Sequence, residues 1–522
     1  MKAAITALVI SGLAVGSAQA AEYVRGIDGD PETLDQHKTS TVVEATLLRD
    51  LYEGLVIYDA AANVIPGMAE RWETSDDGTT WTFHLREATW SNGDPVTAGD
   101  FVYSLRRIMD PATGAKYASI LYPVKNAETI NKGEAAVDTL GVAALDDRTL
   151  EITLEAPTPY FLELLTHQTG LPVHPATVEA EGADFVRPGT MVSNGAYTLV
   201  SFTPNAGIVM EKSPSFHAAD TVAIERIQFL PFEDRAACVR RFEAGEVHSC
   251  SDLPVEQLGF LKETLGDRVR VAPYLGVYYY GLNTEREALE DVRVRQAMSM
   301  VIDREFLAEE IWSGAMIPAY AWVPPGIGNY GEGAALGYAD LPQLDREDAA
   351  LALMAEAGYG PDNPLTVEIA YNASENHKNT ATAIADMWRL LGIETTYRVR
   401  DLSAHYANLR DDKDYDVARA GWIGDYSDPQ NFLFLNESDN TGFNYGNWKS
   451  PEFDALMDQA ATTVDLEARA AILQQAETLF LEAVPQIPLL FYSSKSLVSD
   501  KLTGWEDNVQ NVHPTRFLQI AD

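Results

Sequence analysis

The chain has 522 residues, 46% of them hydrophobic and 22% charged, with a formal net charge of −40. That length excludes a single small core and calls for at least two packed units. So acidic a surface repels nucleic acid and anionic lipid, and its scattered rather than blocked acids fit solubility in a salty medium.

The first twenty residues, MKAAITALVISGLAVGSAQA, carry Lys2, an apolar run from Ala3 to Val15 and the small-residue site Ala18-Gln19-Ala20. This is the pattern of a secretory signal peptide cleaved after Ala20. The run is interrupted by Ser11, Gly12 and Gly16, so it is too short to span a bilayer. No cysteine lies near the cleavage site to accept a lipid, so the mature protein is expected to be periplasmic.

Short strand-like runs fill Leu55 to Leu85, with Trp81, Phe83 and Leu85 alternating in WTFHL. After the Asn92-Gly93 turn, Thr97 and Asp100 form the signature of a helix N-terminus, and Phe101, Leu105 and Ile108 follow at helical spacing. Further strands are expected in Leu150–Pro157, Ala196–Phe202 and Gly207–Lys212. The pattern predicts one long helix from Asp291 to Ile311, then helices over Arg346–Ala357, Asn379–Leu391 and Glu467–Ala483. Strands are expected over Leu365–Tyr371 and Asp416–Ile423. The chain reads as α/β throughout, without repeats or flexible linkers.

The only cysteines are Cys238 and Cys250. They flank a predicted helix end near Gly245 and a strand from Val247, so a disulfide is expected in an oxidising compartment, with two buried thiols as the alternative.

GIGNYG, Gly326 to Gly331, satisfies G-x-G-x-x-G but follows Pro324-Pro325 and leads into no helix, which rules out a dinucleotide role. DKDYD, Asp412 to Asp416, opens like a calcium loop yet has Val417 and Ile423 where glycine and glutamate are required. There is no H-E-x-x-H and no G-x-S-x-G. No cofactor and no metal are expected.

What stands out is DVARAGWIGDYSDP, Asp416 to Pro429, a buried-looking strand carrying two charges. Alternation places Arg419, Gly421, Ile423 and Asp425 on one side, with the two charges about 20 Å apart along the backbone, too far to pair. Arg410 and His377 are further cations with no obvious partner. A ligand with an ammonium at one end and a carboxylate at the other, such as a short peptide, would satisfy all of them.

Six segments occur in an order that resembles the periplasmic oligopeptide-binding proteins of ABC importers, solute-binding protein family 5. They are LRDLYEGLVIYD (Leu48–Asp59), WSNGDPVTAGDFVYS (Trp90–Ser104), VSNGAY (Val192–Tyr197), PYLGVYYYGLN (Pro273–Asn283), DVRVRQAM (Asp291–Met298) and DVARAGWIGDYSDP. The resemblance implies a two-lobed periplasmic binding protein fold built from three domains, with a peptide enclosed between the lobes as an added strand. Domain I would comprise residues 21–43, 175–275 and 495–522, domain II residues 44–174 and domain III residues 276–494.

It further implies that Asp425 takes the ligand's ammonium, while Arg410, Arg419 and His377 receive the carboxylate of ligands of different lengths. Gly421, Trp422, Ile423, Tyr426 and Tyr279 complete the implied binding surface. A hinge is expected near Pro273–Gly276 and Tyr492–Lys495. Gly276 and Ile423 stand where some relatives carry cysteines, and Ala308–Ala315 lacks a lysine that some offer to short ligands. The implied partners are short peptides and the membrane permease subunits of an ABC importer, with the receptor acting as a monomer without catalysis. The alternatives are the same fold binding a murein peptide or another small solute, and a secreted hydrolase.

Overall fold

The computed structural model describes residues 22–39 and 41–521, with the side chains of residues 402 and 403 left aside. The signal peptide and its cleavage site lie outside these residues. One eleven-stranded sheet runs through the molecule. Its spine is a pair of long antiparallel strands, Val269–Leu282 and Gln486–Val498, whose pairing is interrupted between Pro273 and Val277.

On one side of that interruption the sheet continues through Ser249–Cys250, Glu22–Ile27, Arg226–Pro231, Gly207–Lys212 and Tyr197–Thr203. On the other it continues through Val417–Ile423, Leu365–Asn372 and Ile393–Arg400. The apolar cores divide in the same way. Tyr23, Leu47, Phe83 and Phe229 share one core, whereas the lobe from Leu275 to Phe491 has separate cores on the two faces of its sheet. Two lobes joined by two strands result.

Local chemistry explains most elements. Trp81, Phe83 and Leu85 are buried from a four-stranded sheet, with Phe83 opposite Leu150 and Trp81 opposite Ile152. The helix Ala98–Met109 starts where Asp100 Oδ2 accepts the Thr97 N–H at 2.9 Å, and it buries Phe101, Leu105 and Ile108. Cys238 and Cys250 form a disulfide, Cα to Cα 6.1 Å, between the helix Arg235–Glu243 and the strand Ser249–Cys250.

The expected single helix from Asp291 to Ile311 is instead broken. Val292–Met300 ends, Asp303 caps a new turn through the Phe306 N–H at 2.8 Å, and Leu307–Ile311 is wound more widely. The cause is Arg304, fully buried at the break. It donates to the carbonyls of Ser299, Ile302 and Pro488 at 3.2, 3.3 and 3.0 Å, taking up acceptors left free where the helix stops.

Candidate functional site

The strand Val417–Ile423 lies beside Val269–Leu282 with Tyr280 opposite Arg419, Tyr278 opposite Gly421 and Gly276 opposite Ile423. Arg419 is buried at 6% exposure. Its Nη1 donates to Asn372 Oδ1 at 3.0 Å and to the Tyr406 hydroxyl at 3.2 Å, and its Nη2 to the Tyr492 hydroxyl at 3.4 Å. The Tyr278 ring lies 4.8 Å from the guanidinium carbon. Arg419 Nε has no partner, and among the described residues no carboxylate pairs with this cation. Burial works against its charge, and the phenols of Tyr278, Tyr492 and Tyr406 outweigh that effect and hold its pKa up. A buried cation ringed only by neutral groups can accept an anionic partner.

His377 sits beside this group, its Nδ1 3.1 Å from the Tyr278 hydroxyl. It is not the cation expected from the sequence. Burial, with Arg419 and His405 nearby, pushes its pKa down to about 3, so the imidazole is neutral and serves as a hydrogen-bonding group. Arg410 lies exposed in the turn Asn408–Asp412 and reaches the Tyr445 hydroxyl.

A residue's two main-chain groups leave a strand on one side, alternating along the chain. The carbonyl of Arg419 points away from Val269–Leu282 and accepts from His405 Nε2 at 2.8 Å, while the N–H of Gly424 points the opposite way, onto Leu275 O at 2.8 Å. Gly421 and Ile423 therefore present their N–H and C=O groups outward with Arg419. The neighbouring strand Leu365–Asn372 covers that edge only at Val417 and Ala418. Among the described residues the edge at Gly421 and Ile423 has no partner strand. At Gly421 a Cβ would lie 2.6 Å from the Tyr492 hydroxyl oxygen, so a side chain there would have to displace that hydroxyl.

Asp425 follows the strand at the far end of this edge and is exposed. Its carboxylate bonds to the hydroxyl of Tyr117, a residue of the other lobe, and surrounding protein desolvates it enough to raise its pKa against that bond. Tyr426 instead crosses the lobes, stacking on Tyr160 at 5.0 Å and 2°, with its hydroxyl 2.5 Å from Gln430 Oε1. Beneath Tyr160 lies the fully buried pair Arg469 and Asp428, 2.7 Å apart. The GIGNYG loop packs nearby, Gly328 N–H donating to Ser427 Oγ at 2.9 Å.

Two expected residues face elsewhere. Tyr279 is 1% exposed and lies edge-on to Trp322 at 4.7 Å, because the register sends Tyr278 and Tyr280 to the Arg419 face and Tyr279 to the other. The Trp422 ring also takes the other face, its indole N–H donating to Asn431 at 2.9 Å. Sequence reasoning missed Tyr278, Tyr406, Tyr492, Asn372, His405 and Tyr117. The run YYY carried part of the signal, but only the register says which tyrosines share a face with Arg419.

Residues 63–444 match the model of the bacterial extracellular solute-binding proteins, family 5 Middle. The chain belongs to this family. It is 36% identical to the periplasmic oligopeptide-binding protein OppA of Escherichia coli K12 over 528 residues, covering 99% of this chain and 95% of that protein. Its structure is similar to the unliganded open form of the periplasmic murein tripeptide-binding protein MppA, with TM-score 0.92, 34% identity, and 96% and 98% of the two chains covered. Against Haemophilus influenzae OppA in complex with RPPGFSPFR the identity is also 34%, over 97% and 99% of the chains, but the TM-score is 0.68. At equal sequence identity the chain thus superposes better on the unliganded open form than on the peptide complex.

Among its described residues no helix is long and apolar enough to cross a membrane.

Proposed function

We propose that this protein is a periplasmic receptor that takes short peptides as an added strand along the Gly421–Ile423 edge and delivers them to the permease of an ABC importer. The observation that carries the reading is the open strand edge with a cation lacking a carboxylate at one end, Arg419, and a carboxylate at the other, Asp425. A peptide running antiparallel to the strand places its ammonium at Asp425 and its carboxylate at Arg419. Main-chain pairing provides affinity without regard to side chains, and neutral His377 with exposed Arg410 offers secondary contacts to carboxylates of other ligand lengths. The protein acts as a monomer without catalysis, and is exported by its signal peptide and cleaved after Ala20. The crossing at Pro273–Gly276 and Tyr492–Lys495 is the hinge between domain III and domains I and II.

Calorimetric titration of free, N-acetylated and C-amidated peptides two to five residues long tests this. Loss of binding on acetylation and on amidation supports it, whereas unchanged affinity in both cases removes it. A murein peptide is the second reading, favoured by the likeness to the open form of MppA. Mass spectrometry of ligand released from purified, denatured protein separates the two.

A further inference from the structure

Glu163 sits on the short helix Phe161–Leu165, is 5% exposed, and touches both lobes. Within its own lobe, Oε2 accepts from the Tyr58 hydroxyl at 2.8 Å, and that hydroxyl accepts in turn from Gln510 at 2.9 Å. Across the boundary, a Cβ on Gly328 would lie 3.1 Å from Glu163 Oε1 and 3.0 Å from the Ser427 carbonyl oxygen, so the carboxyl packs against main chain of the other lobe. The apolar neighbours divide accordingly. Phe161, Leu164 and Leu165 belong to one lobe's core, and Ile327 and Tyr330 to a core of the other.

No cation answers this carboxyl. Among the described residues Glu163 makes no ion pair, and the charged group that acts on it is Asp428, which opposes its ionisation. Arg469, whose guanidinium lies over the Tyr160 ring, is held by Asp428 at 2.7 Å, and Arg49 acts on Tyr58 rather than on Glu163. The remaining titratable groups around it are the phenols of Tyr58, Tyr160 and Tyr426. Burial raises the pKa of Glu163 from 4.5 to about 8, so it holds a proton at pH 7.

The path from the ligand is short. Ser427 is two residues beyond Asp425, and Tyr426 between them stacks at 5.0 Å on Tyr160, three residues before Glu163. The contact belongs to the arrangement that superposes on an unliganded open relative. A turn of one lobe against the other, or a shift of the Asp425 loop, changes what covers the carboxyl.

Resting on the peptide reading above, we propose that peptide binding is coupled to release of the Glu163 proton. The carboxyl stays neutral while the lobes stand as here. Closure on a peptide withdraws the Gly328 and Ser427 main chain, water reaches the carboxyl, its O–H bond breaks and the proton passes to solvent. The sign follows from linkage: a proton lost on binding makes the complex tighter as pH rises, until Glu163 is already ionised in the free protein.

The test is calorimetric titration of tri-alanine and tetra-alanine in phosphate and in imidazole, whose different ionisation heats give the protons released, over pH 6 to 8.5. The peptide ammonium and Asp425 also exchange protons, equally in wild type and in Glu163→Gln, so the difference isolates Glu163. At pH 7 the wild type should release up to about one proton more per peptide than Glu163→Gln, and its affinity relative to the variant should rise by up to about tenfold per pH unit before levelling off near pH 8. Equal proton counts with a constant affinity ratio would overturn the inference. If Glu163→Gln does not fold, Tyr58→Phe decides: loss of the donor to the carboxylate should move the levelling-off to higher pH, and an unmoved profile overturns the inference. Failure of both peptides to bind at every pH removes the peptide reading together with this one, whereas measurable binding without the proton difference removes this one alone.

Discussion

Arg419 lies within the strand Val417–Ile423 and Asp425 two residues beyond its end, and the two charges are anchored in opposite ways. Arg419 is buried against Tyr278, 4.8 Å from its ring, whereas Asp425 is exposed and reaches across to Tyr117 of the other lobe. One charge belongs wholly to its lobe and the other touches both. On the peptide reading proposed above, the ammonium end of the ligand bears on closure more directly than the carboxylate end.

Asp425→Ala should weaken binding of free peptides by roughly 2 to 5 kcal/mol, the range for truncating one member of a charge pair that becomes desolvated. N-acetylated peptides should bind the wild type about as weakly. Combining the variant with acetylation should add little, since both remove the same contact. Titration calorimetry checks all three, and full additivity would place the ammonium elsewhere.

Gly276 should not tolerate a side chain. A Cβ there would lie 2.5 Å from Ile423 Cδ1, 2.9 Å from the Trp422 carbonyl oxygen and 2.9 Å from the Tyr492 ring. Gly276→Ala is expected to destabilise by about 1 to 3 kcal/mol, as overpacking does. Ile423→Ala should recover only part of this, because the carbonyl stays in place. Urea midpoints measure the effect, and an unchanged midpoint in Gly276→Ala refutes it.

Removing the disulfide should also lower stability. The bridge joins residues twelve apart in sequence, and closing a loop of that size contributes about 3 kcal/mol in the chain-entropy treatment. The Cys238→Ala, Cys250→Ala protein should therefore unfold at a lower denaturant concentration. Gly26→Ala should do likewise, since its Cβ would collide with the Cys238 sulfur. Two free thiols titrated in unreduced, unfolded wild type would contradict the pairing.

His377 sets a pH dependence with a definite sign. Its pKa is lowered from 6.5 to about 3 on folding, so the unfolded chain binds the extra proton between those values. The stability it contributes is whole above pH 6.5 and is lost as pH falls toward 3, at up to about 1.4 kcal/mol per pH unit. Glu163, raised from 4.5 to about 8 by burial, has the opposite slope between those values, so the total curve hides the effect. The difference between wild type and His377→Gln isolates it: the wild-type advantage should shrink from pH 7 to pH 4. A constant difference would mean that His377 is not held neutral.

Ligand should make the molecule more compact. The family 5 fold here matches an unliganded open relative better than a peptide complex, and its two lobes are joined by only two strands whose pairing breaks between Pro273 and Val277. Small-angle scattering at saturating peptide should show a smaller radius of gyration. An unchanged radius refutes closure about this crossing.

The sequence by itself determined what depends on neighbours along the chain. Alternation in WTFHL, the Thr97 and Asp100 start signal and the extended run Val417–Ile423 are each properties of one short segment. They appear in the structure because periods of 2 and 3.6 residues and local hydrogen bonds act without reference to the rest of the fold. The break at Val301–Asp303 was not legible, because the apolar pattern runs on through it. It depends on Arg304 reaching the carbonyl of Pro488, 184 residues away. Tyr279 was misplaced for the same reason. Which of three consecutive tyrosines faces Arg419 follows from the register of two strands whose paired residues are 135 to 147 apart in sequence, and a slip of one residue would exchange the faces. The neutrality of His377 likewise comes from what is packed around it. Desolvation and counter-ions are properties of the assembled surroundings, and only the tertiary structure decides them.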